Sequence, residues 1–167
     1  MAPRIDTRTR ILVLGSMPGE RSLRQGEYYA HARNRFWPIM EAVLGVPAGA
    51  PYGERIRLLN DAGVGLWDVI SSCERRGSLD TGIVVPTEIY NDFESLFRSY
   101  ENLSIICCNG GKAYKTFLRC ILPNLDMRIA TRLKIAGFPS TSPANATYSF
   151  EDIVMAWSMV LLDGSHQ

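Results

Sequence analysis

Two glycine-rich segments are the first candidates for chemistry in this sequence. Gly15-Ser16-Met17-Pro18-Gly19 follows the apolar run RILVL, and Gly110-Gly111-Lys112-Ala113 follows LSIICC and an asparagine. The first segment lacks the G-x-G-x-x-G spacing of dinucleotide-binding turns. To form a phosphate-binding P-loop, the second would need Gly where Ile106 stands and Ser or Thr where Ala113 stands. Neither segment predicts nucleotide chemistry, and each alone is more typical of a backbone turn.

The four cysteines, Cys73, Cys107, Cys108 and Cys120, are the candidates for metal binding. No C-x-x-C pair is present, and the adjacent Cys107 and Cys108 would point to opposite faces of a strand. This spacing does not bring four thiolates together around zinc or an iron–sulfur cluster. We therefore expect four reduced thiols, no metal site and no organic cofactor.

The elements that must position the candidate residues alternate along the chain, as in a parallel α/β sheet. Apolar runs predict strands at 10–14, 64–70, 103–108 and 133–138, and helices are predicted at 35–45, 54–61, 92–100, 109–122 and after Ser149. Together they predict an α/β fold, a three-layer α/β/α sandwich with a four-stranded parallel sheet. Ligands of such folds lie at the carboxyl ends of the strands. Glycines and polar residues collect at those ends, in residues 15–19, 68–74, 109–112 and 139–145.

Length and composition indicate a single domain over residues 1–167, with its core at about residues 10–162. Hydrophobic residues make up 46% of the chain and charged residues 21%, which excludes wholesale disorder. No apolar stretch approaches the roughly 20 residues that span a bilayer, and no apolar signal-peptide core is present, so we expect a cytoplasmic location. The net charge is only +1, but residues 1–40 hold seven Arg and three acids. That excess suits phosphate contact, a solvated polar face being the alternative.

Three segments taken together resemble the uracil-DNA glycosylase superfamily. Gly15-Ser16-Met17-Pro18-Gly19 resembles its G-x-[ND]-P-G strand-end motif. Residues 28–37, YYAHARNRFW, are similar to the F-A-H-P-A-N-R-F-W segment of mismatch-specific uracil-DNA glycosylases, and residues 140–145, STSPAN, take the place of the N-P-S-G-L or H-P-S-P-L loop. Residues 65–80, GLWDVISSCERRGSLD, resemble the hypoxanthine-DNA glycosylase branch. The resemblance keeps its order and spacing over about residues 10–160.

The resemblance implies the glycosylase fold and a monofunctional DNA glycosylase of base excision repair. Such an enzyme flips a nucleotide out of the duplex and hydrolyses the N-glycosidic bond of a deaminated base, here expected to be hypoxanthine. Neither a metal nor an organic cofactor is implied. The expected partner is DNA that contains deaminated bases, with the protein acting as a monomer and away from membranes. Two alternatives stay open: a uracil or mismatch-specific glycosylase, and a catalytically inactive relative that binds nucleic acid.

The resemblance also implies roles around the base. Met17 stands where relatives keep the Asn or Asp that activates water, a role that a thioether cannot take, so catalysis is expected from Asn34. Simple helix capping is the alternative for Asn34. The base is expected to stack on Tyr29 and to hydrogen-bond Asp68; the alternatives are a core tyrosine and a turn cap. The expected base-contacting set is Ser16, Met17, Tyr29 and Asp68.

A second group of roles concerns the DNA strand. Ser142 is expected to hold a flanking phosphate together with backbone N–H groups of its loop. Ala144 stands where relatives often insert Leu into the gap left by the flipped base, and a methyl group fills that gap poorly. Either Asn145 fills it or extrusion relies on an already weakened pair. The expected DNA-contacting set is Ser140, Ser142, Ala144 and Asn145.

Basic residues beside these segments are expected to make DNA binding salt-dependent. They are Arg21, Arg24, Arg33 and Arg35. His31 lies among them, and a structural role is at least as consistent with the sequence as proton donation.

Overall fold

A four-stranded parallel sheet forms the centre of the protein, which a computed structural model describes over residues 1–162. The strands are β1 (Ile11–Gly15), β2 (Val64–Asp68), β3 (Ile70–Ser72), β4 (Ile89–Tyr90), β5 (Ile105–Asn109) and β6 (Lys134–Phe138). The central sheet has the order β2-β1-β5-β6, and β3 pairs with β4 in a small antiparallel sheet. The predicted four-stranded parallel sheet is confirmed. Residues 163–167 of the expected domain lie outside the described residues.

Seven α-helices connect and cover these strands within the described part of the chain. They are α1 (Glu20–Gln25), α2 (Phe36–Leu44), α3 (Tyr52–Asp61), α4 (Phe93–Ser99), α5 (Gly111–Thr116), α6 (Met127–Arg132) and α7 (Phe150–Leu161). Ser149 caps α7 in a capping box with Asp152, as its spacing from Asp152 predicts. No helix among residues 1–162 is both long and apolar enough to cross a membrane.

The structure corrects two predicted elements. The strand predicted at 64–70 is divided after Asp68, because Ile70–Ser72 leaves the central sheet to pair with β4. The helix predicted at 109–122 keeps α-helical geometry only to Thr116 and continues as a π-helical turn over Phe117–Ile121. The short helices α1 and α6 were not predicted, since six residues carry too little periodicity to be recognised.

The register of the parallel strands assigns the helices to two layers. Trp67, Leu14, Cys108 and Gly137 are aligned across the sheet, so they share one face; the next row, at Asp68, Gly15, Asn109 and Phe138, occupies the other. On the first face, Trp67 contacts Phe93 of α4. On the second face, Phe138 stacks on Trp157 of α7, which in turn contacts Phe36 of α2. The sheet therefore lies between two helical layers, as the α/β/α prediction requires.

Candidate active site

The carboxyl ends of the four parallel strands open into one cleft of about 1060 Å3. The nine residues of the catalytic, base-contacting and DNA-contacting sets all lie in its lining. They are Asn34, Ser16, Met17, Tyr29, Asp68, Ser140, Ser142, Ala144 and Asn145. Segments that are far apart in the chain meet here because parallel strands end at the same edge of the sheet.

Asp68 forms the floor of the cleft. It ends β2 opposite Gly15, is almost fully buried, and its Oδ2 has no hydrogen-bond partner among residues 1–162. A Cβ atom at Gly15 would lie 2.6 Å from Asp68 Oδ1, so the carboxyl group occupies space that only glycine leaves open. Burial raises the pKa of Asp68 to about 7, against smaller opposing effects of the N-terminal ammonium, of the Tyr28 hydroxyl as a hydrogen-bond donor to the carboxyl group, and of Arg75. A buried acceptor without a partner is destabilising, which makes it a candidate for ligand contact.

Tyr29 lies above the same floor. Its ring stacks on Phe36 with centroids 3.9 Å apart, and its hydroxyl group is buried without a hydrogen-bond partner in residues 1–162. Desolvation raises the pKa of this phenol above its ordinary value, so it stays neutral. The backbone of Tyr29 has φ +56°, an unfavourable left-handed conformation for a non-glycine residue. The ring is thus held in place by packing on Phe36, while the half-buried residue still lines the cleft.

Asn34 lies just before α2 and lines the cleft, so its contacts bear on both roles that the sequence leaves open. Its Oδ1 accepts a hydrogen bond from the Phe36 N–H at 3.0 Å, at the start of α2. Its Nδ2 has no hydrogen-bond partner among the described residues, and the half-buried side chain lines the cleft. This hydrogen bond orients the amide and leaves its two N–H groups free for a water molecule or a ligand.

The loop after β1 is tied to a distant segment of the chain. The buried Ser16 hydroxyl donates to Asp80 Oδ1 at 2.5 Å, and the Cys73 thiol donates to Met17 Sδ at 3.0 Å. Met17 thus packs against sulfur and offers no group that could activate water. Ser16 keeps its place in the cleft lining, but its hydroxyl hydrogen is engaged by Asp80.

The 139–145 loop is held together by its own hydrogen bonds. Asn109 and the buried Thr141 form a reciprocal pair, with Asn109 Nδ2 donating to Thr141 Oγ1 and Thr141 N–H donating to Asn109 Oδ1, both at 2.9 Å. Ser140 Oγ accepts from the Ser142 N–H, and Asn145 Nδ2 donates to the Ser140 carbonyl. These bonds give the loop a fixed shape, and it forms one rim of the cleft.

The arginines expected near the DNA have different positions. Arg35 donates to the carbonyl oxygens of Tyr148 and Asn145 at 2.9 and 2.8 Å, so it braces the rim. Arg21 and Arg33 are exposed and line the cleft. Arg24 is not part of that lining, and its Nη2 lies 3.9 Å from Glu20 Oε2.

His31 is exposed at the cleft, and its Nδ1 accepts the Arg33 N–H at 3.1 Å within the turn before α2. Within residues 1–162, no group of three or more His, Cys, Asp or Glu side chains is arranged to hold a metal ion.

Asn109, Leu79 and Asp80 line the cleft, although the sequence analysis gave them no individual role. Asn109 ends β5 within the strand-end segment 109–112, where the rule that ligands bind at strand ends placed it. No sequence periodicity places Leu79 and Asp80 beside β1.

Comparison with known proteins defines the class. The family described as the uracil DNA glycosylase superfamily matches residues 2–160. The chain belongs to this superfamily, and it is a DNA glycosylase.

Individual relatives agree with this assignment. A Methanosarcina barkeri protein named hypoxanthine DNA glycosylase is 37% identical over 122 residues, which cover 71% of this chain and 76% of the relative. A Methanosarcina acetivorans protein of the same name is 34% identical over 148 residues, covering 87% and 86%. A solution structure from Methanosarcina acetivorans, provisionally described as a uracil DNA glycosylase, superposes with a TM-score of 0.81 at 31% identity. The superposition covers 99% of this chain and 97% of that one, so the fold is shared throughout.

Proposed function

We propose that the protein releases hypoxanthine from DNA by hydrolysing its N-glycosidic bond, acting as a monomer on DNA that contains the deaminated base. The observation that carries this proposal is the buried, unpartnered carboxyl oxygen of Asp68 at the floor of the cleft. The printed names of the two curated relatives support the same base.

Asp68 matches the edge of hypoxanthine that differs from adenine. Hypoxanthine presents a ring N–H beside a carbonyl, whereas adenine has an acceptor nitrogen beside an amino group. The ionised Asp68 carboxylate accepts the ring N–H of hypoxanthine. Facing adenine, the same carboxylate would meet an unprotonated nitrogen and remain unpaired, and sites built in this way discriminate strongly.

Tyr29 and Asn34 supply the other parts of the site. The Tyr29 ring, held by Phe36, offers a flat surface to a flipped base, and such stacking is worth about 1–3 kcal/mol per base. The free Nδ2 group of Asn34 orients the water molecule that attacks C1′. As the water oxygen bonds to C1′, the glycosidic C–N bond breaks and its electron pair leaves with the base; the water loses one proton, and the departing base takes up one, so that OH stays on the sugar and H on the base.

A side-by-side comparison of base excision from three duplexes tests this function. Equal concentrations of enzyme are incubated with duplexes that carry hypoxanthine, uracil or adenine at one position, and the released base and the abasic product are measured in single turnover. We expect hypoxanthine to be released faster than uracil, and adenine to stay in place. Release of uracil much faster than hypoxanthine would contradict the proposal, and binding without an abasic product would indicate an inactive protein.

Uracil is the second candidate base for a specific reason. Its ring N–H also lies beside a carbonyl, so Asp68 can accept a hydrogen bond from it as well. Selection between the two bases then depends on the size of the cleft and on the loss of a water-activating residue at Met17.

A further inference from the structure

Leu79 stands out at the mouth of the cleft because it is large, apolar and exposed. The whole Leu79 residue exposes 53% of its surface to solvent. Among the described residues, only Tyr148 is another large exposed hydrophobic residue in the cleft lining. The remaining exposed apolar residues, such as Val85, lie outside that lining.

The two residues on either side of Leu79 are anchored by hydrogen bonds of their side chains. Ser78 Oγ accepts the Glu20 N–H at 3.2 Å, and Asp80 Oδ1 accepts the Ser16 hydroxyl at 2.5 Å. Both contacts join the flanking residues of Leu79 to the segment that follows β1. Leu79 is therefore held at a fixed place beside the floor of the site while its own side chain is left in solvent.

The loop that carries Leu79, residues 74–84, is also closed at its base. The Val84 N–H donates to the Glu74 carbonyl at 2.9 Å, and Arg75 Nη2 donates to the Pro18 carbonyl at 2.6 Å. Gly82 lies so close to the opposite limb that a Cβ atom there would be 2.3 Å from the Arg76 carbonyl oxygen. This loop is a rigid support, since several independent contacts would have to break before its tip could move.

The 139–145 loop lacks a comparable side chain. Ala144 offers only a methyl group to a gap in the duplex. The Asn145 amide, the other candidate of the 139–145 loop, donates to the Ser140 carbonyl at 2.8 Å and so is occupied within its own loop. Protein wedges that enter a base stack are typically Phe, Leu, Ile, Met or Pro.

We propose that Leu79 is the wedge that enters the duplex and fills the space left by the flipped nucleotide. This inference rests on the proposed function, because it needs a substrate whose base leaves the stack. A side chain held at a fixed place offsets part of the unstacking free energy when it takes the position of the extruded base. A single strand has no base pair that must be kept open after the nucleotide flips out, so the wedge acts only on duplex DNA.

The test compares duplex and single-stranded substrates. Leu79→Ala, Leu79→Met and two control variants, Val85→Ala and Tyr148→Ala, are assayed in single turnover on an oligonucleotide with hypoxanthine, alone and paired opposite cytosine. We expect Leu79→Ala to slow duplex excision on the order of ten- to a hundred-fold, because unstacking one base step costs a few kcal/mol. Single-strand excision should not change, Leu79→Met should restore most of the duplex rate, and both controls should keep the wild-type ratio.

A fluorescence readout tests the wedge independently of the chemistry. A 2-aminopurine placed beside the hypoxanthine should brighten when the wild-type enzyme binds the duplex, and the increase should be lost in Leu79→Ala. Equal losses on duplex and single strand, no loss on either, or a ratio that changes with Tyr148→Ala instead would overturn the wedge. A wild-type enzyme that releases no hypoxanthine from either substrate would instead refute the proposed function.

Discussion

The floor and the rim of the cleft differ in how their polar groups are satisfied. On the floor, Asp68 Oδ2 and the Tyr29 hydroxyl are buried without partners in residues 1–162. On the rim, Thr141 and Asn145 bond within the sheet edge and the 139–145 loop. Unpaired buried groups lower the stability of the free protein, whereas a self-bonded loop keeps its shape without a ligand. The comparison supports the proposal that a base is bound on the floor and that the rim presents a preformed surface to the DNA strand.

The largest expected effect is a fall in the free energy of unfolding with rising pH, caused by Asp68 on the floor. The pKa of Asp68 is about 7 in the folded protein and near 4 in the unfolded chain, so only the unfolded chain ionises between these values. The contribution of protonated Asp68 to the free energy of unfolding is fully present below about pH 4, and it is lost as the pH rises to about 7. Three pH units at about 1.4 kcal/mol each give on the order of 4 kcal/mol.

Denaturant titrations of the wild type and Asp68→Asn measure this loss. The difference between their free energies of unfolding should grow by that amount from pH 4 to pH 8 in favour of the variant, because asparagine does not ionise. A constant difference across this range would mean that Asp68 is not held protonated by burial.

The next effect is the loss of catalytic rate and of stability when Asn34 is replaced. Asn34→Ala should lower the single-turnover rate about 10²–10³-fold, the usual result of removing one donor that acts in the transition state. It should also lower stability by about 0.5–2 kcal/mol, since the cap on the Phe36 N–H is lost.

Asn34→Ser separates the two roles. A serine hydroxyl is a good helix cap but lacks the amide N–H groups, so this variant should melt near the wild type and remain slow. If Asn34→Ser cleaved at the wild-type rate, Asn34 would be a cap and nothing more.

A smaller effect concerns base recognition by the ionised form of Asp68. Because the carboxylate accepts the ring N–H of the base, kcat/KM for hypoxanthine should fall about ten-fold per pH unit below about pH 7. Asp68→Asn should remove this dependence and lower kcat/KM at pH 8 by roughly ten- to a hundred-fold, the loss of one hydrogen bond to a charged group. A pH profile unchanged by the substitution would remove Asp68 from base recognition.

On the rim, Arg35→Ala should loosen the 139–145 loop without touching the floor. Two hydrogen bonds to the Asn145 and Tyr148 carbonyls disappear, and because one is exposed and the other only part-buried, we expect their loss to cost about 1–2 kcal/mol together. Hydrogen exchange across residues 139–148 should accelerate, and the melting temperature should fall. Arg33→Ala is the matched control, since its exposed side chain has no hydrogen bond or ion pair within residues 1–162; similar exchange in both variants would argue against bracing by Arg35.

The smallest effect is electrostatic. Arg33 and Arg21 line the cleft and are free to approach phosphates, so Arg33→Ala should lower the log–log salt slope of duplex binding by about 0.9. Fluorescence anisotropy between low and moderate salt measures the slope. Arg24→Ala, outside the cleft, should leave it unchanged; a wild-type affinity that does not depend on salt would exclude phosphate contact altogether.

The strands and their polar ends could be predicted because their signals are local. Four apolar runs of about five residues identify β1, β2, β5 and β6, and the shared edge of a parallel sheet then brings Ser16, Asp68 and the 139–145 loop together. The capping box at Ser149 is equally local. The resemblance of three short motifs supplied the residue roles that periodicity alone does not carry.

The rest depends on contacts between distant residues. The position of the 74–84 loop depends on hydrogen bonds such as those from Arg75 to Pro18 and from Ser16 to Asp80, which join residues more than 50 positions apart. The left-handed backbone of Tyr29 is stabilised by stacking on Phe36, and neither residue type indicates it. The hydrogen bond from the Phe36 N–H to Asn34 Oδ1, which leaves Nδ2 free, could not be told from the residue type alone.

The close approach between Gly15 and Asp68 also limits how this protein can evolve. A methyl group at position 15 would collide with the Asp68 carboxyl oxygen, so the effect of a substitution at one position depends on the residue at the other. A small residue at 68 would make Gly15→Ala tolerable, whereas with Asp68 in place the same change displaces the group that meets the base. Positions 15 and 68 thus form an epistatic pair. A lineage that changes both residues has to replace Asp68 before it replaces Gly15.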